Sequence, residues 1–272
     1  MKIVREPKVA GMFYPSSKSE LEKTINTFFD NINLESNFVN VKGIISPHAG
    51  YIYSGQTAAY GFKTILNKKF KNVIVISPSH REYFPGISIY NGTAYKTPLG
   101  EIEINKELSN SFVEKSNLIF LGDEGHKAEH ALEVQLPFLQ IALGEFKLVP
   151  IVIGDQSKMF VNELADVLQN FVNDENLFVA SSDLSHFYKR EKAMQKDGRI
   201  VDHINNFEFG ELQSDLETKK CEACGGGAIV AVMKSLKEKK YEHSKVLSQT
   251  DSGYITGDTS EVVGYLSAVI YN

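Results

Sequence analysis

The feature that most constrains this chain is a short β-rich apolar run that ends in serine and is followed within a few residues by histidine. It occurs three times. Gly43-Ile44-Ile45-Ser46 leads into Pro47-His48, Val73-Ile74-Val75-Ile76-Ser77 into Pro78-Ser79-His80, and Phe178-Val179-Ala180-Ser181 into Ser182-Asp183-Leu184-Ser185-His186. Unbroken runs of this kind read as strands buried on both faces, as in a parallel sheet covered by helices. Ligands of open α/β sheets bind beyond the carboxyl ends of the strands, so three histidines at three such ends predict one shared crevice. A single histidine after a strand is ordinarily a loop residue bonded to nearby backbone. Three equivalent placements among only 7 histidines shift the weight toward a metal or catalytic site. Pro47 and Pro78 end their strands sharply and stiffen the turns that carry the histidines.

Strand and helix signals alternate along the rest of the chain. Ser17-Lys18-Ser19-Glu20 has capping-box spacing and predicts a helix to about Asn31, and Ser54 is placed to cap a helix through Leu66. Further helices are expected over Leu108–Glu114, over His130–Leu143 with Pro137 starting its regular part or kinking it and Gly144 ending it, and near Lys158–Phe171, Glu191–Asn206 and Gly227–Leu236. Lys147 to Gly154 reads as a fourth buried strand, Val262–Tyr271 as another, and Ile87–Ile104 as an inserted hairpin with turns at Asn91-Gly92 and Thr97–Gly100. The pattern predicts an α/β fold, a three-layer α/β/α sandwich around a mixed, mostly parallel sheet. No Pro-, Gly- or Ser-rich linker interrupts it, so one domain is expected over residues 1–272.

Composition narrows the function. A net charge of -5 with both signs interspersed argues against a nucleic-acid binder, which would normally show a basic patch. No apolar run is long enough for a bilayer, and Met1 to Pro7 lacks the apolar segment of a signal peptide. A cytoplasmic protein without membrane contact is expected, its two cysteines reduced.

Cys221-Glu222-Ala223-Cys224-Gly225-Gly226-Gly227 is the second chemical feature. A structural zinc site lacks its second ligand pair, and no Lys-Ser/Thr follows the glycines to make a phosphate loop. Three readings stay open: a redox pair at a helix start, one cysteine joining the histidines on a metal, and a tight turn with inert thiols. Glu129-His130-Ala131-Leu132-Glu133 is the third feature, with His130 and Glu133 one helical turn apart and able to act as acid, base or support for a metal ligand. His126 is expected in solvent, and His203 and His243 receive no role.

The order of these motifs resembles the MEMO family, also called AmmeMemoRadiSam system protein B. The resemblance rests on Arg5 to Pro15, Pro47–Tyr51, Ser77–His80, Thr97–Gly100, Glu129–Phe138, Ser182–His186, Ala223–Gly225 and Val262–Tyr265, all in the family's order. The family is in turn similar to LigB-type class III extradiol dioxygenases, single α/β domains that use non-haem iron(II). The resemblance implies that His48 and His80 are metal ligands, that His186 is the acid–base residue, and that His130 is a second pocket histidine. It puts Cys224 where the dioxygenases have a carboxylate, a softer donor that favours copper(I), zinc or iron over magnesium or calcium.

Two classes of function are therefore expected. One is a metal-dependent redox enzyme using iron(II) or copper, with zinc as a further candidate ion. In it Asp183 would orient His186, and Tyr51, Ser79 and Ser185 would contact a small polar or aromatic substrate. The other is an adaptor of the kind the MEMO resemblance implies, recognising a peptide bearing phosphotyrosine in the same crevice.

Overall fold

The computed structural model describes residues 2–34 and 36–272. In chain order the elements are β1 (Val4–Arg5), α1 (Lys18–Asp30), β2 (Gly43–Ser46), α2 (Tyr51–Lys63), β3 (Asn72–Pro78), β4 (Ile87–Tyr90), β5 (Ala94–Thr97), β6 (Gly100–Glu103), α3 (Lys106–Val113) and β7 (Ile119–Gly122). They continue with α4 (Leu136–Leu143), β8 (Lys147–Ile153), α5 (Lys158–Leu168), β9 (Asn176–Ser181), β10 (His186–Tyr188), α6 (Arg190–Asn205), α7 (Phe209–Glu217), α8 (Gly226–Lys237), β11 (His243–Asp251), α9 (Gly253–Thr256) and β12 (Val262–Tyr271).

The main sheet runs β10-β12-β2-β9-β3-β8-β4-β7, with β11 also paired to β12. Its centre, β2-β9-β3-β8, is wholly parallel, while β12 joins β2 and β4 joins β8 in antiparallel fashion. Ser46 pairs with Ser181 and Ile76 with Ala180, so the serines ending the three apolar runs stand at one level of the sheet. Side chains alternate between faces with period 2. Ile45, Ile74, Ile76, Ile151 and Ala180 pack under α5, α6, α7 and α8, whereas Ile44, Val73, Val75, Leu148 and Val179 pack under α1, α2 and α4. The fold is the expected α/β/α sandwich, and no helix among the described residues is long and apolar enough to cross a membrane.

Local details depart from expectation where tertiary contacts override local signals. Helix α2 begins at Tyr51, and Ser54 lies inside it, its hydroxyl donating back to the Ala49 carbonyl. Ser17 does precede α1, but its hydroxyl faces Ser19 and makes no side-chain cap. Of the inserted segment only β5–β6 forms a hairpin. It joins β1 in a small separate sheet, and β4 enters the main sheet between β8 and β7. The segment before α4 is not helical from His130: a single 3-10 turn, Glu133–Gln135, leads into α4.

That turn is fixed by a buried carboxylate. Glu133 pairs with Arg5, accepts the backbone N–H groups of Lys8 and Val9, and accepts the Tyr14 hydroxyl at 2.6 Å. Arg5 also donates to the His126 and Glu129 carbonyls. The N-terminal strap is thereby tied across more than a hundred residues to the segment carrying Glu129 and His130. Removing one partner of such a buried pair leaves the other charge without compensation. Glu133→Gln is therefore expected to lower stability by about 3 kcal/mol or more, read as a shift in the urea unfolding midpoint.

Candidate metal centre

The four parallel strands deliver their turns to one edge, and the predicted ligands meet there. His48 follows β2, His80 follows β3, and Cys224 sits on the turn entering α8. The nitrogen of each histidine and the Cys224 sulfur all lie within 4.8 Å of one another. The His48 and His80 rings are 5.1 Å apart at 76°, and His48 Nε2 is 3.1 Å from Cys224 Sγ.

Close backbone approach brings the sulfur in. A side chain at Gly225 would place its Cβ 2.1 Å from the Ser181 carbonyl oxygen, so only glycine lets this turn press on the end of β9. The Gly225 N–H donates to Ser182 Oγ, and the Cys224 N–H to the Asp183 carbonyl. From the end of β8, Gln156 donates to the Cys224 carbonyl and accepts the Gly227 N–H.

Hydrogen bonds set which ring nitrogens face the centre. Ser181 Oγ donates its one proton to the Ala131 carbonyl and accepts from Gln135 Nε2, so its remaining lone pair accepts from His48 Nδ1 at 2.9 Å. His48 is thereby held as the Nδ1–H tautomer, with the Nε2 lone pair toward Cys224. His80 Nδ1 donates to the Glu129 carboxylate at 2.9 Å, which frees its Nε2 in the same way. Glu129 also accepts the backbone N–H groups of His80, His130 and Ala131. Burial alone would raise its pKa, but the His80 hydrogen bond and charge and these backbone donors hold it at about 2. This carboxylate supports His80, and with His80 and His130 it forms a second group whose ligand atoms lie within 4.8 Å of one another.

The centre otherwise disfavours charge. Burial, and then the neighbouring histidines, push His48 well below the ordinary histidine range. Burial takes His130 down to about 4 and lowers His186 as well. Neutral imidazoles carry the lone pairs a metal needs. Burial, followed by the Asp183 charge, pushes the Cys224 thiol up, so its S–H donates to His48 Nε2 and must lose its proton to become a ligand. Burial also raises Asp183 to about 7.

Several predicted residues sit elsewhere. Asp183 does not orient His186: its carboxylate accepts the His48 backbone N–H at 2.7 Å and lies 3.9 Å from His48 Nε2. The Tyr51 hydroxyl is buried and committed to the Val134 carbonyl, and Ser185 is wholly buried, because both chains point into packed layers. The Ser79 hydroxyl is turned onto the Glu82 carbonyl. His126 is buried, not solvated, with its Nδ1 2.7 Å from the Tyr95 hydroxyl. His130 stacks on His80 with ring centroids 5.0 Å apart, whereas its expected partner Glu133 faces Arg5. His186 and Cys224 line one cavity of about 670 Å³ with Tyr188, Gln156 and Glu222. Cys221 is buried and reduced in the wall of that cavity.

A family model described as Memo-like protein matches residues 5–269. This chain belongs to the Memo family. MEMO1 family proteins of Thermoplasma volcanium and Nitrosopumilus maritimus are 35% and 36% identical to it, over 98% and 97% of this chain and 98% of each relative. One from Thermotoga neapolitana is 36% identical over 98% of this chain and all of that protein. A solved structure, an uncharacterized protein of Escherichia coli K12, superposes with a TM-score of 0.54 at 14% identity, covering 85% of this chain and 99% of that one, a likeness of fold alone.

Glu129 and Ser181 are the functional residues the sequence reading missed. Both stood inside quoted motifs, and the signal available was that a ligating histidine needs an acceptor for its other nitrogen. In this Memo-family chain Glu129→Gln should weaken zinc or iron affinity about 10–100-fold while the far-UV circular dichroism spectrum stays unchanged. Competition with a chromogenic chelator measures it.

Proposed function

We propose that this protein is a metal-binding redox protein that holds iron(II) or copper(I) on His48, His80 and Cys224, with His186 as its acid–base residue. The observation that carries the reading is the convergence of two imidazole lone pairs, each aimed by a hydrogen bond at the opposite ring nitrogen, on one thiol. Two nitrogens and a sulfur suit zinc, copper or iron and not magnesium or calcium. Resemblance to the extradiol dioxygenases favours a redox ion over zinc, while the thiol in place of their carboxylate separates the chemistry from theirs.

A bound iron or copper ion, held by His48, His80 and Cys224, would supply one-electron redox chemistry. The chain's own contribution is positional. Glu129 and Ser181 hold the ligand rings, and the Asp183 backbone N–H donates to the Cys224 sulfur at 3.2 Å. His186, neutral because it is part-buried, accepts a proton from a substrate hydroxyl or thiol in the cavity. Leu184, Leu216 and Val230 give that cavity an apolar wall, and Gln156, Tyr188 and Glu222 give it a polar one. The same mixed lining would also accommodate a peptide side chain, which is the adaptor alternative.

Metal content after identical purification, measured by mass spectrometry, tests the reading. His48→Ala and His80→Ala should lose tightly bound metal and keep the fold. Cys224→Ser should weaken copper(I) far more than magnesium. His186→Ala should keep its metal yet lower metal-dependent oxygen uptake with a catechol or thiol by about 10²–10⁴-fold. Equal metal in the wild type and the three ligand variants would sink the site. Full metal content with no oxygen uptake on any substrate, together with phosphopeptide binding to the metal-free protein, would replace the redox role with the adaptor.

A further inference from the structure

The amino-terminal edge of the same sheet, opposite the metal centre, carries a second constellation. Lys42 immediately precedes β2, Lys68 to Phe70 lie just before β3, and Asp174 lies just before β9. The parallel sheet that gathers the histidines at one edge gathers these residues at the other. They line a cavity of about 450 Å³ together with Phe38 and Val39.

The Lys42 side chain is only 5% exposed. Its Nζ lies 5.3 Å from the centroid of the Phe70 ring. Among the described residues its one carboxylate neighbour is Asp174, at 3.7 Å and itself fully exposed. That distance is too long for a hydrogen bond, so three N–H donors find no acceptor in the described protein. The Lys68 ammonium, on the same cavity, donates to the Phe38 carbonyl at 2.9 Å and, among the described residues, to nothing else. Nearby Lys71 is already satisfied by Glu175.

We propose that this amino-edge cavity binds a small oxyanion, a phosphate or carboxylate group, between the ammonium groups of Lys42 and Lys68. Burying a cation is costly unless it is paired and hydrogen-bonded, and here Lys42 has one loose, solvent-facing carboxylate and Lys68 one backbone carbonyl. Both lysines are pushed below the ordinary lysine range by burial, at Lys42 against the opposing pull of Asp174. An oxyanion supplies acceptors to both amines at once, and the Phe38 and Phe70 rings offer apolar contact to any body it carries. This site is independent of the metal centre and stands or falls separately from it.

The test is titration of isotope-labelled protein with inorganic phosphate and, separately, with acetate, each against sodium chloride at matched ionic strength. Saturable chemical-shift changes at Lys42, Lys68 and Phe70 are expected, and the tighter of the two probes identifies the anion class. Lys42→Met should weaken binding at least about tenfold, as loss of a charge-assisted contact does. In anion-free buffer it should melt no lower than the wild type, because methionine fills the same volume without an unpaired charge. Lys68→Met gives the same reading should Lys42→Met fail to fold. His48→Ala should bind the anion as the wild type does. Shifts that fail to saturate, or that chloride reproduces, mean an adventitious ion only and overturn the proposal. So does a Lys42→Met protein that is destabilised yet still binds phosphate, which would make Lys42 simply the ion-pair partner of Asp174.

Discussion

Everything in this molecule that bears on chemistry depends on four strands sharing one direction. Because β2, β9, β3 and β8 are parallel, each must end at the same edge, and each must be reached by a crossover that leaves a helix on a face. The crevice is thus a by-product of the topology, and the residues placed just past the strand ends decide what it does. The antiparallel strands β12 and β4 flank this core and supply none of the three candidate ligands.

The second constraint is the supply of acceptors inside a site that rejects charge. His48, His80 and His130 crowd the thiol there, and burial holds His48 and His130 below the ordinary histidine range and the thiol above its own. Each ring can present either nitrogen to the centre, and two groups remove that choice. Ser181, with one proton and two lone pairs all spent, fixes His48; Glu129, held as a carboxylate by backbone donors, fixes His80. Ligand direction is therefore decided one layer below the ligands. Glu133 extends the same logic outward, since the segment bearing Glu129 is held by the Arg5 strap.

What could be read from the sequence follows from this division. The central strands were legible because a strand buried on both faces is written as a continuous apolar run, and His48, His80 and Cys224 because they stand within two residues of a proline or glycine at the ends of elements. Partnerships were not. Glu129 and His80 are 49 residues apart, Asp183 and the His48 N–H are 135 apart, and no local pattern records either bond. Asp183 was assigned to His186 because it is near in sequence, yet the turn after β9 aims it across the sheet edge at His48. His126 was misplaced for a related reason: its acidic and basic neighbours signal solvent, while Tyr95 from the small sheet covers it. The short strand β7 and helix α7 carry weak periodicity of their own and form because β4 and α8 give them something to pack on.

The strand order has a consequence for how the protein is made. β9 lies between β2 and β3 in the sheet, although about a hundred residues separate it from β3 in the chain. A ribosome that has released both ligating histidines has therefore not released the strand that must lie between them, nor the cysteine 176 residues beyond the first of them. No stable N-terminal half can preassemble the centre. Long-range closure of this kind is slow, and it would make any metal acquisition an event of the finished chain. Any ion captured early by His48 or His80 alone would be held by one ring and readily lost.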